Sequence, residues 1–322
     1  MFPLSGRRTA AAVIVWFLAL VTPLAAQEPP PEFELPDVIS PGRRPQPAGT
    51  SPAYVTAIPG EELRRMGFLT LGEALAFVAE AYVRITGTGL GGVQQASIRG
   101  STPQQVLVLL DGVPLNATAQ FGVNLATITL ADVERVEVLR GPYSAIQGNF
   151  AVIQVTTRSR PGRTAVVSSG SYGTLQTALR LDGGTAGLRF GLGSEIAATS
   201  GYRPNGDATR WTGSGRLAWG EASRGMFSLS VHRTTGDAGV PGPTYFPSLS
   251  DRLADGRTAV AFEWARKAAD GSRLLRIWSL EDTLRSTSPD FGFVSESMGS
   301  AVGAEWQQVA RLGHGGIFTW GL

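Results

Sequence analysis

"GTGLGGVQQASIRG" (87–100) opens with glycines at 87, 89 and 92, the spacing of a G-x-G-x-x-G loop. If that loop holds a phosphate, the chain is a nucleotide-dependent enzyme; if it does not, the fold must be sought elsewhere. A dinucleotide loop leaves a strand and opens a helix whose N-terminal amides hold the pyrophosphate. Here Gly92 is followed by "VQQASIRGSTP", which has no helical stripe and meets Pro103. An acidic ribose partner belongs after a second strand, yet Asp111 precedes Gly112 in a tight-turn signal. The glycines therefore read as a mobile loop whose backbone can approach a ligand.

Around this loop, residues 54–161 read as a small α+β domain. "PGEELRRMG" is a short helix with acids near its start, and Gly67 is free to take a left-handed C-terminal cap. "TLGEALAFVAE" carries a capping box, Thr70 with Glu73, before Leu71, Leu75 and Val78 on one face. The β runs "ASIR", "VLVLL", "RVEVLR" and "VIQVTT" follow, with Asp111-Gly112 as the turn after the second.

From residue 163 the helical period disappears. "TLQTALRLDGG" alternates Leu175, Thr177, Leu179 and Leu181 against Gln176, Ala178 and Arg180. "MFSLSVHR" alternates Phe227, Leu229 and Val231 against Ser228, Ser230 and His232. Roughly nine such segments of about 8–11 residues, separated by Gly/Asp/Asn/Pro turns, fill the remainder. Alternation also suits a soluble β-sandwich. The segment length crosses a tilted bilayer, and Trp211, Trp219, Trp264, Trp278, Trp306 and Trp320 sit towards segment ends as interface girdles require.

The N-terminus reads as an export signal, residues 1–26: Arg7 and Arg8, then the apolar "TAAAVIVWFLALV", with cleavage after Ala26. That core is too short to span a bilayer as a helix. Cleavage lowers the formal charge from +2 to 0, which argues against a nucleic-acid partner. Residues 27–53 are Pro-rich and polar, an extended tether. With no Cys and only His232 and His314, neither a nucleophilic triad nor a zinc site can be assembled, so the chain reads as a non-enzyme with no cofactor and no metal.

Four motifs then recur in order: I-R-G (98–100), L-D-G-V-P (110–114), V-E-x-L-R-G-P (136–142) and S-A-x-x-G (144–148). Together they resemble the plug domain of TonB-dependent outer-membrane receptors, most similar to vitamin B12 (cobalamin) and ferric-siderophore receptors. The resemblance covers residues 54–161 densely and 162–322 in style. It implies an α+β plug inside an antiparallel transmembrane β-barrel of about 22 strands. The chain supplies about nine, so 162–322 is expected to be an incomplete barrel from a fragment or a truncated product. The turn between S-A-x-x-G and the last plug strand is shorter than the family pattern.

The resemblance also implies roles. Leu35, Pro36, Asp37, Val38, Ile39 and Ser40 resemble a TonB box, an extended segment that adds a strand to TonB. Thr88, Gly89, Gln94, Asn116, Thr118 and Gln120 lie on the ligand-facing plug loops. Arg99 and Arg140, with Glu137, are expected to lock the plug to barrel-wall carboxylates; solvated charges are the alternative. The implied function is TonB-driven uptake of a scarce large nutrient, cobalamin or a ferric siderophore, in the lipid of the Gram-negative outer membrane. A truncated plug-bearing binding or sensor protein and an exported hydrolase are the other readings.

Overall fold

The computed structural model describes residues 38–39, 46–47, 54–78, 81–87, 89–116, 122–140, 151–159, 161–221, 223–269, 271–311 and 317–321. Near the N-terminus, β1 (Val38–Ile39) and β2 (Gln46–Pro47) form a two-residue antiparallel pair.

The plug is built on a five-stranded sheet of β3 (Tyr54–Pro59), β6 (Val106–Leu110), β7 (Val113–Pro114), β8 (Val133–Arg140) and β9 (Ala151–Thr157), in the order β3-β8-β9-β6-β7. Only β6 and β9 run parallel. β8 and β9 carry apolar side chains on both faces and hold the centre. Val136, Val138, Ile153 and Val155 face the main core, while Leu139 and Val152 meet Leu107 on the other side. Two helices, α1 (Gly60–Arg65) and α2 (Leu71–Val78), pack Leu63, Leu71 and Leu75 into that core.

The expected local signals have their expected geometry. Glu73 accepts from the Thr70 amide at 3.3 Å, and Thr70 Oγ1 accepts from the Glu73 amide at 3.4 Å. Asp111 (φ 49°) and Gly112 (φ 83°) make a left-handed turn between β6 and β7. The run "ASIR" differs. β5 is Val93–Ser97, paired with β4 (Tyr82–Thr86), and Arg99 (φ 51°) lies in the turn beyond it. The glycine stretch is thus a hairpin loop: Gly87 (φ 100°) crosses Gly92 so closely that a Cβ at 87 would lie 3.1 Å from the Gly92 Cα.

The remaining strands form one nine-stranded antiparallel sheet in chain order: β10 (Gly162–Gly170), β11 (Thr174–Gly184), β12 (Leu188–Thr199), β13 (Ala208–Glu221), β14 (Gly225–Gly239), β15 (Arg252–Ala268), β16 (Gly271–Ser288), β17 (Phe293–Arg311) and β18 (Ile317–Gly321). Its burial is inside-out. Leu179, Leu192, Leu217, Leu229 and Val302 are exposed, while Gln176, Glu195, Arg210, Ser228, Asp255 and Asp282 are buried. A soluble sandwich buries its leucines and exposes its acids; a transmembrane barrel wall does the reverse.

From β12 to β17 the strands are longer than the expected 8–11 residues, rising from 12 to 19. The outward face explains the excess. On β14 it runs Phe227, Leu229, Val231, then Arg233, Thr235, Asp237, so the apolar band ends and a polar extension continues. That extension leads to the longer connections, 200–207 and 240–251, whereas 185–187, 222–224 and 269–270 close the other end. At the short-turn end Trp219 stacks on Phe227 (5.7 Å) and Trp264 on Trp306 (6.2 Å), giving the aromatic girdle. Trp278 is not part of it. It is partly buried against the plug core, opposite Gly303.

Leu192 is 56% exposed within the apolar band. Leu192→Arg is expected to cost about 2–4 kcal/mol near the bilayer midplane. It would be read as a lowered denaturation midpoint in phospholipid vesicles; an unchanged midpoint would mean that lipid does not cover this face.

Candidate functional site

The site that the fold assembles is the seam between plug and wall. One hydrogen-bonded row of inward residues crosses the wall: Arg180, Gly193, Ser214, His232, Ala259, Leu280. Each end of this row meets the plug differently. Ala259 and Leu280 join the plug's apolar core. Arg180 pairs with Asp132 of the plug, and Ser214 Oγ donates to the other oxygen of that carboxylate at 2.6 Å. Gly193 lies between them; a Cβ there would come within 2.6 Å of Ser214 Oγ. His232 Nε2 lies 3.4 Å from Asp111 Oδ2.

Neighbouring rows add further contacts. Arg257, buried and paired with Asp282 at 2.6 Å, donates to Thr127 Oγ1 at 2.9 Å. Glu195 lies beside Thr129 and the Ala131 amide. Arg276 binds Glu263 (2.7 Å) and Glu305 (3.0 Å) and reaches the Gly112 carbonyl at 3.4 Å. These polar contacts come from two short plug segments, 111–112 and 127–132.

Asp111 is held twice more within the plug, by the Thr157 amide (2.9 Å) and hydroxyl (2.7 Å). Burial by itself would raise its carboxyl; hydrogen bonds from His232 and Thr157 outweigh it and hold the carboxyl down, to about 2.

Of the sequence-derived lock residues, Arg140 and Glu137 each have a partner within the plug. Arg140 donates to Thr56 Oγ1 at 2.9 Å inside the plug sheet, and the fully buried Glu137 pairs with Arg135 at 2.7 Å. Arg99 is exposed in its turn. Two of the expected ligand-facing residues use their side chains within the plug. Gln94 is fully buried, bonded to Thr70 Oγ1 (2.8 Å) and, through its amide, to Asn124 Oδ1 (2.9 Å). Asn116 spends its side chain on β6, accepting from the Val108 amide and donating to the Val106 carbonyl. Gly89 is exposed. Thr88, Thr118 and Gln120, most of the TonB-box-like segment and the 141–150 connection lie outside the described residues. The loop at 89–91 is also docked rather than free, since Leu90 is buried among Ala197, Ala208 and Ala238 of the wall.

The long-loop end holds a feature that the strand pattern did not announce. Asn205 (φ 54°) donates to the carbonyls of Val240, Ser248 and Asp251 at 3.0–3.3 Å. Arg203 adds the Gly242 carbonyl at 2.7 Å. The loop so tied presents Tyr245, Phe246 and Leu249 to solvent, with Phe246 against Phe291 of the next loop. The signal was in "PTYFPSL": aromatics between prolines have no strand to serve.

A plug domain bound to the inner face of an antiparallel barrel wall is the class of fold that the seam contacts define. A family model for the TonB-dependent receptor plug domain matches residues 47–153. Solved structures share this fold over most of the chain. The chain is similar to the siderophore receptor PirA from Acinetobacter baumannii (16% identity, TM-score 0.65, covering 83% of this chain and 47% of that one). It is similar to the ferric enterobactin receptor PfeA from Pseudomonas aeruginosa (18%, 0.64, 85% and 49%). It is also similar to P. aeruginosa FpvA, solved with bound pyoverdine (13%, 0.70, 88% and 43%). Residues 47–153 thus match the plug-domain family, the fold of the chain is that of these receptors, and it spans a little under half the length of these structures.

Removing the Asp132 carboxylate leaves Arg180 facing the seam with less to hold. Asp132→Ala is expected to destabilise the plug–wall contact by up to about 3–5 kcal/mol, less where water reaches the pair. Faster protease cleavage of the plug would show it, and wild-type cleavage would remove Asp132 from the seam's stability.

Asp111 should make that contact pH-dependent. A carboxyl lowered in the folded state stabilises the fold above the ordinary carboxylate range and loses that contribution as pH falls from about 4 to about 2. Protease resistance should drop in this window, by an amount on the order of 2 kcal/mol, and Asp111→Asn should flatten the drop. A profile with the same slope in both proteins would assign the acid response to another group.

Proposed function

We propose that the chain is the plug-bearing part of an outer-membrane receptor for active uptake of a large, scarce nutrient. On this reading residues 1–26 are a cleaved export signal, 27–53 a periplasmic tether, 54–161 the plug and 162–322 barrel wall. The short turns face the periplasm and the long loops the exterior, as in bacterial outer-membrane barrels. The observation that carries the reading is the seam: a plug with its own core, bound through Asp132 and Asp111 to a wall whose outer face is apolar.

The cargo class is a ferric siderophore or cobalamin. The names of PirA and PfeA, a siderophore receptor and a ferric enterobactin receptor, favour the siderophore. The exposed aromatics Tyr245, Phe246 and Phe291 form the surface that such a ligand would meet first.

TonB is the proposed partner. Leu35–Ser40 would join it by strand addition, which uses backbone hydrogen bonds and tolerates varied side chains. The extended pairing of Val38 and Ile39 with Pro47 and Gln46 supports a segment able to act as a strand.

Val38→Pro removes one amide donor from that segment. In Gram-negative cells it should reduce energised uptake of labelled ferric siderophore at least tenfold and leave surface binding unchanged. Uptake at the unmutated rate would place the coupling segment elsewhere, and absence of uptake and binding by the unmutated chain would overturn the transport reading.

A further inference from the structure

Below the seam, at the short-turn end, the inner wall carries arginines that hold nothing in the plug. Arg189 of β12 and Arg216 of β13 line a cavity of about 120 Å³, together with Ser228 of β14 and Ser159 at the plug's exit. Arg189 makes one long contact, from Nη2 to Met226 Sδ at 3.7 Å. Arg216 is half-buried and makes no hydrogen bond or ion pair among the described residues.

The carboxylates that border the cavity are engaged elsewhere. Asp182 is bound by Arg180, and Glu263 by Arg276. Asp182 lies in the same hydrogen-bonded row as Arg216, with only Gly191 between them. A Cβ at Gly191 would collide with the Asp182 carboxylate and lie 3.1 Å from Arg180 Nη2. The glycine thus gives the Arg180–Asp182 pair its room, and that pair keeps Asp182 from neutralising Arg216. Half-buried Arg216 and exposed Arg189 are left without carboxylate partners among the described residues, lining one cavity beside two hydroxyls.

We propose that Arg189 and Arg216 form a binding site for an oxyanion: a phosphate, sulfate or carboxylate group. Guanidinium forks match such groups through paired, charge-assisted hydrogen bonds. The cavity adjoins a larger one of about 420 Å³ under the plug sheet, sharing Arg216 and Glu263 as lining. If the chain is an importer, an anionic group of the cargo passes this site as it leaves the plug; that role rests on the transport reading, whereas the site itself does not.

The test uses the full chain in detergent and inorganic phosphate as the probe, titrated by calorimetry. Saturable binding of one phosphate per chain is expected. Arg216→Gln and Arg189→Gln should each weaken it at least tenfold, Arg216→Lys should weaken it less than Arg216→Gln, and Arg224→Gln on an exposed turn should leave it unchanged. Circular dichroism and heat-modifiable migration of each variant separate lost binding from lost fold. Mass spectrometry of the purified chain distinguishes sources. Phospholipid that co-purifies with the wild type and is missing from Arg216→Gln identifies a headgroup as the natural oxyanion; phosphate binding without such lipid identifies a soluble or cargo-borne one. Equal phosphate affinity in wild type and Arg216→Gln, or no saturation, would overturn the site. Phosphate binding at Arg216 in a chain that fails in uptake would keep the site and remove only its cargo role.

Discussion

Hydrocarbon offers no water to a backbone amide or carbonyl, so every strand of a membrane wall must find its hydrogen bonds in the strands beside it. The nine strands from Gly162 to Gly321 obey this by pairing in chain order, each antiparallel to the next. That pairing brings inward residues of successive strands into continuous rows. The row from Arg180 to Leu280 is the outcome on which the plug depends, because it sets a guanidinium, a hydroxyl, an imidazole and two apolar side chains along one line.

The plug meets that line with matching chemistry. Its core touches Ala259 and Leu280, and its acids Asp132 and Asp111 meet Arg180 and His232. Apolar contact contributes adhesion without direction. The carboxylates fix position, since each has partners from two sides that tolerate little displacement. Asp132 lies between Arg180 and Ser214, and Asp111 between His232 and Thr157. In both of these pairs the plug supplies the acid and the wall the base. Within the plug, Arg140 meets Thr56 and Glu137 meets Arg135, since a charged side chain on a central strand needs a partner close at hand.

Much of this was legible in the residues. The capping box at Thr70 and Glu73, the turn at Asp111-Gly112 and the alternation of "TLQTALRLDGG" each depend on neighbours within a few positions. The direction of the alternation was not local. Leu179 and Gln176 could face either way until the plug occupied one side. Gln94 and Asn116 looked like open polar groups because their partners, Thr70, Asn124 and the β6 backbone, come from elsewhere in the chain. Trp278 looked like a girdle residue for the same reason, since a strand's sequence does not say which of its two faces meets lipid.

By itself the sequence determined the plug's motifs, the period of two in the wall and the absence of cysteine chemistry, all of which are properties of composition and short-range spacing. Only the tertiary structure decided which charges meet. Asp132 and Arg180 are far apart along the chain, and so are Asp111 and His232. Their pairing follows from strand register, and a one-residue slip would turn Arg180, Ser214 and His232 from the plug towards lipid. Register is a sum over many cross-strand hydrogen bonds and turn lengths, so it belongs to the assembled sheet and to no single stretch of it.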